Sequence, residues 1–159
     1  MNGFGGIFIL DLGIGFVSGL RTFTAPAMIS WAARLGLLHL QQSPFAFMGS
    51  TVAVVILTLL AAGEYVGDLL PKTPKRTAPG PLIARIVSGG LSGACLCAAH
   101  QQSILTGVLL GGVGAVIGAF TGYEVRKRLV AALKVRDAMI AIPEDLVAIS
   151  LAYLFAVVL

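Results

Sequence analysis

Five stretches of this chain are apolar over lengths that match or exceed the hydrocarbon core of a lipid bilayer: Phe4 to Leu38, Ser50 to Leu70, Leu82 to Ala99, Ile104 to Tyr123 and Ala138 to Leu159. A helix of about 20 apolar residues crosses that ~30 Å core. Only 11% of the 159 residues are charged, against about 25% in soluble domains. The polar surface needed to keep five such stretches in water is missing. The pattern predicts an all-α, polytopic transmembrane helical bundle, a single integral membrane domain over residues 1–159 whose surroundings are the lipid bilayer.

The first block sets the span count. At 1.5 Å per residue its thirty-odd residues make a helix of about 50 Å, too long for one untilted crossing. It is interrupted by "GLRTFTAP", Gly19 to Pro26, and proline removes a backbone donor and pushes its predecessor out of helical geometry. Pro26 is expected to divide the block into arms from Phe4 to Leu20 and from Pro26 to Leu38. If the arms form one broken crossing there are five spans and the N-terminus is inside. If each arm crosses there are six, and it is outside. The first is the primary reading. The opening run has no Lys or Arg before it, so it is read as a retained span and not as a cleaved signal peptide.

Basic residues collect in two segments. "PKTPKRTAPGPLIAR" carries Lys72, Lys75, Arg76 and Arg85, and "YEVRKRLVAALKVRD" carries Arg126, Lys127, Arg128, Lys134 and Arg136. The turn between them, "HQQS", has no formal charge. By the positive-inside rule both basic loops are cytoplasmic and the C-terminus of this multi-pass protein is outside. The net charge of +4 therefore reports orientation, with no nucleic-acid partner implied. "TAPAMISWAAR" and "TAPGPLIAR" also hint at an internal repeat, of the kind that builds transporter sites from broken helices.

Gly107 and Gly111, then Gly114, Gly118 and Gly122, stand four apart on the fourth span, and Gly89 and Gly93 do so on the third. That spacing lets helix backbones approach closely in lipid, in the manner of a glycine zipper. Tight packing is the plain reading; glycines lining a narrow path is the functional one. Cys95 and Cys97 point to different sides of a helix, and His39 and His100 have no partners at ligand spacing, so no metal or cofactor is expected.

The ionisable residues are the chemical signal. Glu64 and Asp68 share a helix face, and either pair with Lys72 or Arg76 at headgroup level or serve as a buried counter-ion for Arg21 or as a proton site. Asp11 lies inside the first arm. Pro143, Glu144 and Asp145 fit a helix start, which would fall at membrane depth. Carboxylates cost about 2.5–3.5 kcal/mol at the bilayer centre and usually face a partner or water, so Arg21, Asp11, Glu64, Asp68, Arg85, Glu144 and Asp145 are expected to converge at least in part.

The combination of "GLRTFTAPA", "EYVGDLLPKTPKRTAPGPLIARIVSGGLSGA", "GAVIGAFTGYEVRKRL" and "EDLVAI" resembles the bacterial membrane family catalogued as domain of unknown function 4126, over nearly the whole chain. The resemblance implies a small multi-span inner-membrane protein and marks Arg21, Pro26, Glu64, Asp68, Lys72, Pro74, Arg76, Pro79, Arg85, Glu144 and Asp145 as family-like positions. It implies no reaction.

The leading functional expectation is a small transporter or channel for an anionic or phosphate-bearing solute or lipid. Arg21, Thr22, Thr24, Arg76 and Arg85 would hold the anion beside a helix N-terminus. Asp11, Glu64, Asp68, Glu144 and Asp145 would serve as proton sites or counter-ions, and a homodimer would complete the path. The alternative is a structural or accessory subunit of a larger membrane complex. With no catalytic motif present, an enzyme acting on lipid headgroups ranks third.

Overall fold

The computed structural model describes residues 4–68, 78–134 and 137–158. Helices α1 (Phe4–Leu20), α2 (Thr24–Arg34), α3 (Thr51–Asp68), α4 (Pro79–Ala99), α5 (Ile104–Leu133) and α6 (Asp137–Tyr153) follow in order. A 3₁₀ turn at Ala46–Gly49 precedes α3, and a π-helical turn at Leu154–Val158 extends α6. Four described helices, α3 to α6, are long and apolar enough to cross a membrane, and α1 is a shorter apolar helix. This is an all-α membrane bundle.

Helix directions follow from the contacts. Backbones of Gly15 and Gly111, and of Gly19 and Ala115, lie against each other, so α1 and α5 run parallel. Gly89 faces Gly111 and Gly93 faces Gly107, so α4 runs against α5. At each of these glycines an added Cβ would strike backbone of the opposing helix, and Gly114 and Gly118 stand likewise against Leu12, Gly15 and Phe16. The close approaches sit between helices of one chain. They weld α1, α4 and α5 into a three-helix centre and leave a second copy without that surface. Helices α3 and α6 pack more loosely around it, and α3 buries only Val54 and Ala61.

The first block is broken, and its second arm turns back. Along α2, Thr24 bonds to Tyr65 and Trp31 to Thr58, while Ser30 reaches Met48 just ahead of α3. Helix α2 therefore runs antiparallel to α3. At 11 residues it is about 16 Å long, and the loop after it completes the return. The four long apolar helices, the shorter α1 and the short return segment α2 alternate in direction, which brings both ends of the described chain to the same end of the bundle. The four long helices and α1 make five apolar helices, the count of the primary reading, and α2 is a short arm folded back from the break.

The break lies at Arg21 to Phe23, upstream of Pro26, which sits in the first turn of α2. The first backbone N–H groups of a helix have no partner within it, so the donor that proline lacks costs nothing there. Its effect falls four residues back: the Thr22 carbonyl, which an N–H at position 26 would have bonded, accepts the Ser88 hydroxyl instead. The second arm also ends at Arg34, short of Leu38. Pro143 starts no helix; it lies inside α6, where one lost bond is tolerated between packed neighbours. The two Thr-Ala-Pro segments diverge as well, since Arg34 is exposed and Arg85 is buried.

Candidate functional site

The α1–α2 break places Arg21 at the meeting point of the helices. Its side chain is fully buried. One nitrogen lies 2.5 Å from Asp68 at the end of α3, another pairs with Asp145 on α6, and the guanidinium sits 5.6 Å from the Tyr65 ring centroid. Asp68 also binds Arg126 of α5 at 2.7 Å, and Arg126 reaches Glu144 at 3.4 Å. The Coulomb attraction of such close pairs offsets part of the cost of removing the charges from water, several kcal/mol per ion.

Glu64 has a different task. Its two carboxylate oxygens accept the backbone N–H groups of Thr22 at 2.8 Å and Phe23 at 3.0 Å. These are the donors that the broken helix leaves open. Arg85 of α4 approaches the same carboxylate at 3.4 Å. The Thr24 hydroxyl is 2.7 Å from Tyr65 Oη, and the Ser88 hydroxyl joins Ser18 at 3.4 Å to the Thr22 carbonyl. Two backbone amides and a guanidinium thus form a carboxylate cradle, with Glu64 in it.

The cradle borders open space. A cleft of about 420 Å³ between α3 and α4 is lined by Thr22, Phe23, Gly63, Glu64, Asp68 and Arg85, among others. A second cleft of about 280 Å³, almost wholly apolar, opens against Arg126 and Glu144 between α5 and α6.

Arg21, Thr22, Thr24, Glu64, Asp68, Arg85, Glu144 and Asp145 therefore come together. Asp11 does not: it is buried farther back along α1 with the Cys97 thiol 3.0 Å from Oδ2. Arg76, with Lys72, lies outside the described residues. Glu144 and Asp145 do not cap a helix start; they project from α6 onto Arg126 and Arg21. Arg21 has two aspartates beside it, so its charge is already answered from inside the chain. Sequence reasoning missed Arg126, Tyr65 and Ser88. Arg126 was detectable, because it continues the Gly118–Gly122 face at the same four-residue spacing.

The fold and site define a polytopic helical membrane protein organised around a buried ion-pair network at a helix break. The chain belongs to the family described as Domain of unknown function (DUF4126), whose model matches residues 8–158. No curated protein and no solved structure matches it.

Proposed function

We propose that the protein is a small membrane transporter for an anionic solute or an anionic lipid headgroup, and that the anion's station is the cradle formed by the Thr22 and Phe23 amides with Arg85. The observation that carries this reading is the seat of Glu64. A carboxylate at a helix N-terminus, bound by two N–H groups and a guanidinium, occupies the geometry in which phosphates and carboxylates bind, and here it lies at the wall of an open cleft. Glu64 holds the place of the solute and must leave it for the solute to enter. Arg21, paired with Asp68 and Asp145, fixes the break and is not the anion's main contact.

In this reading the basic loops face the cytoplasm, the cradle lies toward that side of a bacterial inner membrane, and both chain ends lie outside. The protein acts without chemistry on the solute. A second copy or another subunit would meet the chain at the exposed apolar face of α3, which carries Val52, Val55, Ile56 and Leu59; lipid suits that face equally.

Purified protein in proteoliposomes tests the reading, with uptake of radiolabelled phosphate and of small carboxylates as the readout. Glu64→Gln, which removes the competing charge and keeps an acceptor for the amides, is expected to raise anion affinity, and Arg85→Ala to abolish uptake. Uptake by both wild type and Glu64→Gln no faster than in protein-free vesicles would sink the proposal. Isolation of the chain in a fixed ratio with a different membrane protein would favour the accessory-subunit alternative.

A further inference from the structure

Asp11 is a second ionisable site, and the ion network leaves it out. It lies in the middle of α1 with no exposed surface. Oδ2 receives the Cys97 thiol at 3.0 Å, and Oδ1 has no hydrogen-bond partner among the described residues. No described guanidinium or ammonium forms an ion pair with it. An ionised carboxylate so placed would carry an uncompensated charge in a membrane interior, at a cost of several kcal/mol. Protonation removes that cost and turns Oδ1 or Oδ2 into a donor.

Polar side chains lie on both sides of Asp11 along α1 and α4. On the far side from the ion network, His100 ends α4 and is exposed. It stands three residues beyond Cys97, hence beside it on the helix surface. Its Nδ1 donates to the Leu96 carbonyl at 2.9 Å, which leaves Nε2 as the acceptor. Toward the network, Ser18 lies seven residues after Asp11 on the same face of α1, and its hydroxyl meets Ser88, which bonds the Thr22 carbonyl at the break. Between these two contacts along α4 lies Ser92, also fully buried, with a hydroxyl that finds no partner among the described residues. Gly111, Gly114 and Phe155, also packed against this part of α1, do not titrate, and Cys97 and His100 are the titratable side chains described beside Asp11.

We propose that Asp11 is a membrane-embedded proton-binding site, loaded from the far side past His100 and Cys97 and connected through Ser18 and Ser88 to the Arg21 network. The ligand is the proton. Loading forms one O–H bond on the carboxylate, and the proton comes from bulk water by way of the imidazole and thiol. The proposal stands apart from the anion reading, because it concerns a different residue and its test uses no anionic solute.

Infrared titration of the protein in lipid nanodiscs, joined to proton flux into vesicles loaded with a pH-sensitive dye under an imposed potassium diffusion potential, tests it. Wild type should show a protonated-carboxyl C=O stretch that disappears in Asp11→Asn and moves to higher frequency in Cys97→Ala, which removes the thiol's hydrogen bond. Wild-type vesicles should acidify, and Asp11→Asn should fall to the rate of protein-free vesicles while melting as a folded protein in detergent. If Asp11→Asn does not fold, the Cys97→Ala shift and slowed acidification in Ser18→Ala carry the same test. A wild type with no such band, a band unmoved by the Cys97 change, or acidification equal to that of protein-free vesicles would overturn it.

Discussion

Gly111 offers the sharpest stability test. A Cβ placed there would run into the Gly89 carbonyl, with the carbonyl carbon at 2.8 Å and the Gly90 Cα at 3.4 Å. Carbon atoms pack at about 3.5–4.0 Å, so the carbonyl carbon alone needs α4 and α5 to part by at least roughly 0.7 Å, and the nearer carbonyl oxygen needs more. The obstacle is backbone, so no rotamer change can absorb it. Gly107 faces Gly93 in the same seam and Gly15 also packs on Gly111, so parting the pair at one point loosens contacts along α1, α4 and α5. Overpacking of this kind costs about 1–3 kcal/mol, and Gly111→Ala is expected at or above the upper end. Gly63 is the internal control, since a Cβ there meets nothing within 4 Å and Ala is the better helix former by about 0.5–1 kcal/mol. Unfolding in mild detergent titrated with sodium dodecyl sulfate, followed by circular dichroism, would compare the two. If Gly111→Ala unfolds at the same detergent fraction as wild type, or if Gly63→Ala is the more damaging, the account of a backbone-to-backbone centre is wrong.

Asp145→Asn leaves the buried Arg21 with one carboxylate fewer and is expected to destabilise by about 3–5 kcal/mol, while Arg21→Gln with Asp145→Asn recovers part of the loss; the same unfolding titration measures both. Ser88→Ala strips the donor from the Thr22 carbonyl and should cost about 1–3 kcal/mol. The Arg128–Glu124 pair is solvent-exposed, so Arg128→Ala should leave the unfolding curve unmoved. Reporter fusions at the C-terminus should be active only when the reporter works outside the cytoplasm, and a maleimide that labels a cysteine introduced at exposed Gln101 should react from that same side.

Part of the site was readable because membrane sequences punish charge. Arg21, Glu64, Asp68, Glu144 and Asp145 stand out in an apolar chain, and their cost in lipid says that they must meet partners. Which partner each one meets was not readable. Asp145, about 120 residues from Arg21, lies beside it because α6 packs along α1, whereas Glu64 bonds the backbone at the break and not the arginine. Asp11 belongs to the same class by sequence and to a different place by structure.

The sequence by itself determined that the chain lives in a bilayer, how many apolar helices it makes, that the first block breaks, and which spacing lets helices touch. Those properties are local: they depend on the hydropathy of a run, on proline's missing donor and on glycine's missing side chain. Only the tertiary structure decided that the second arm turns back, that the glycine ladders close on one another within one chain, and that Glu64 fills the open amides at the break while Asp11 meets a thiol and, among the described residues, no cation. Those outcomes depend on which helix faces come together across dozens of residues, and a one-dimensional pattern of charge and hydropathy does not specify the pairing.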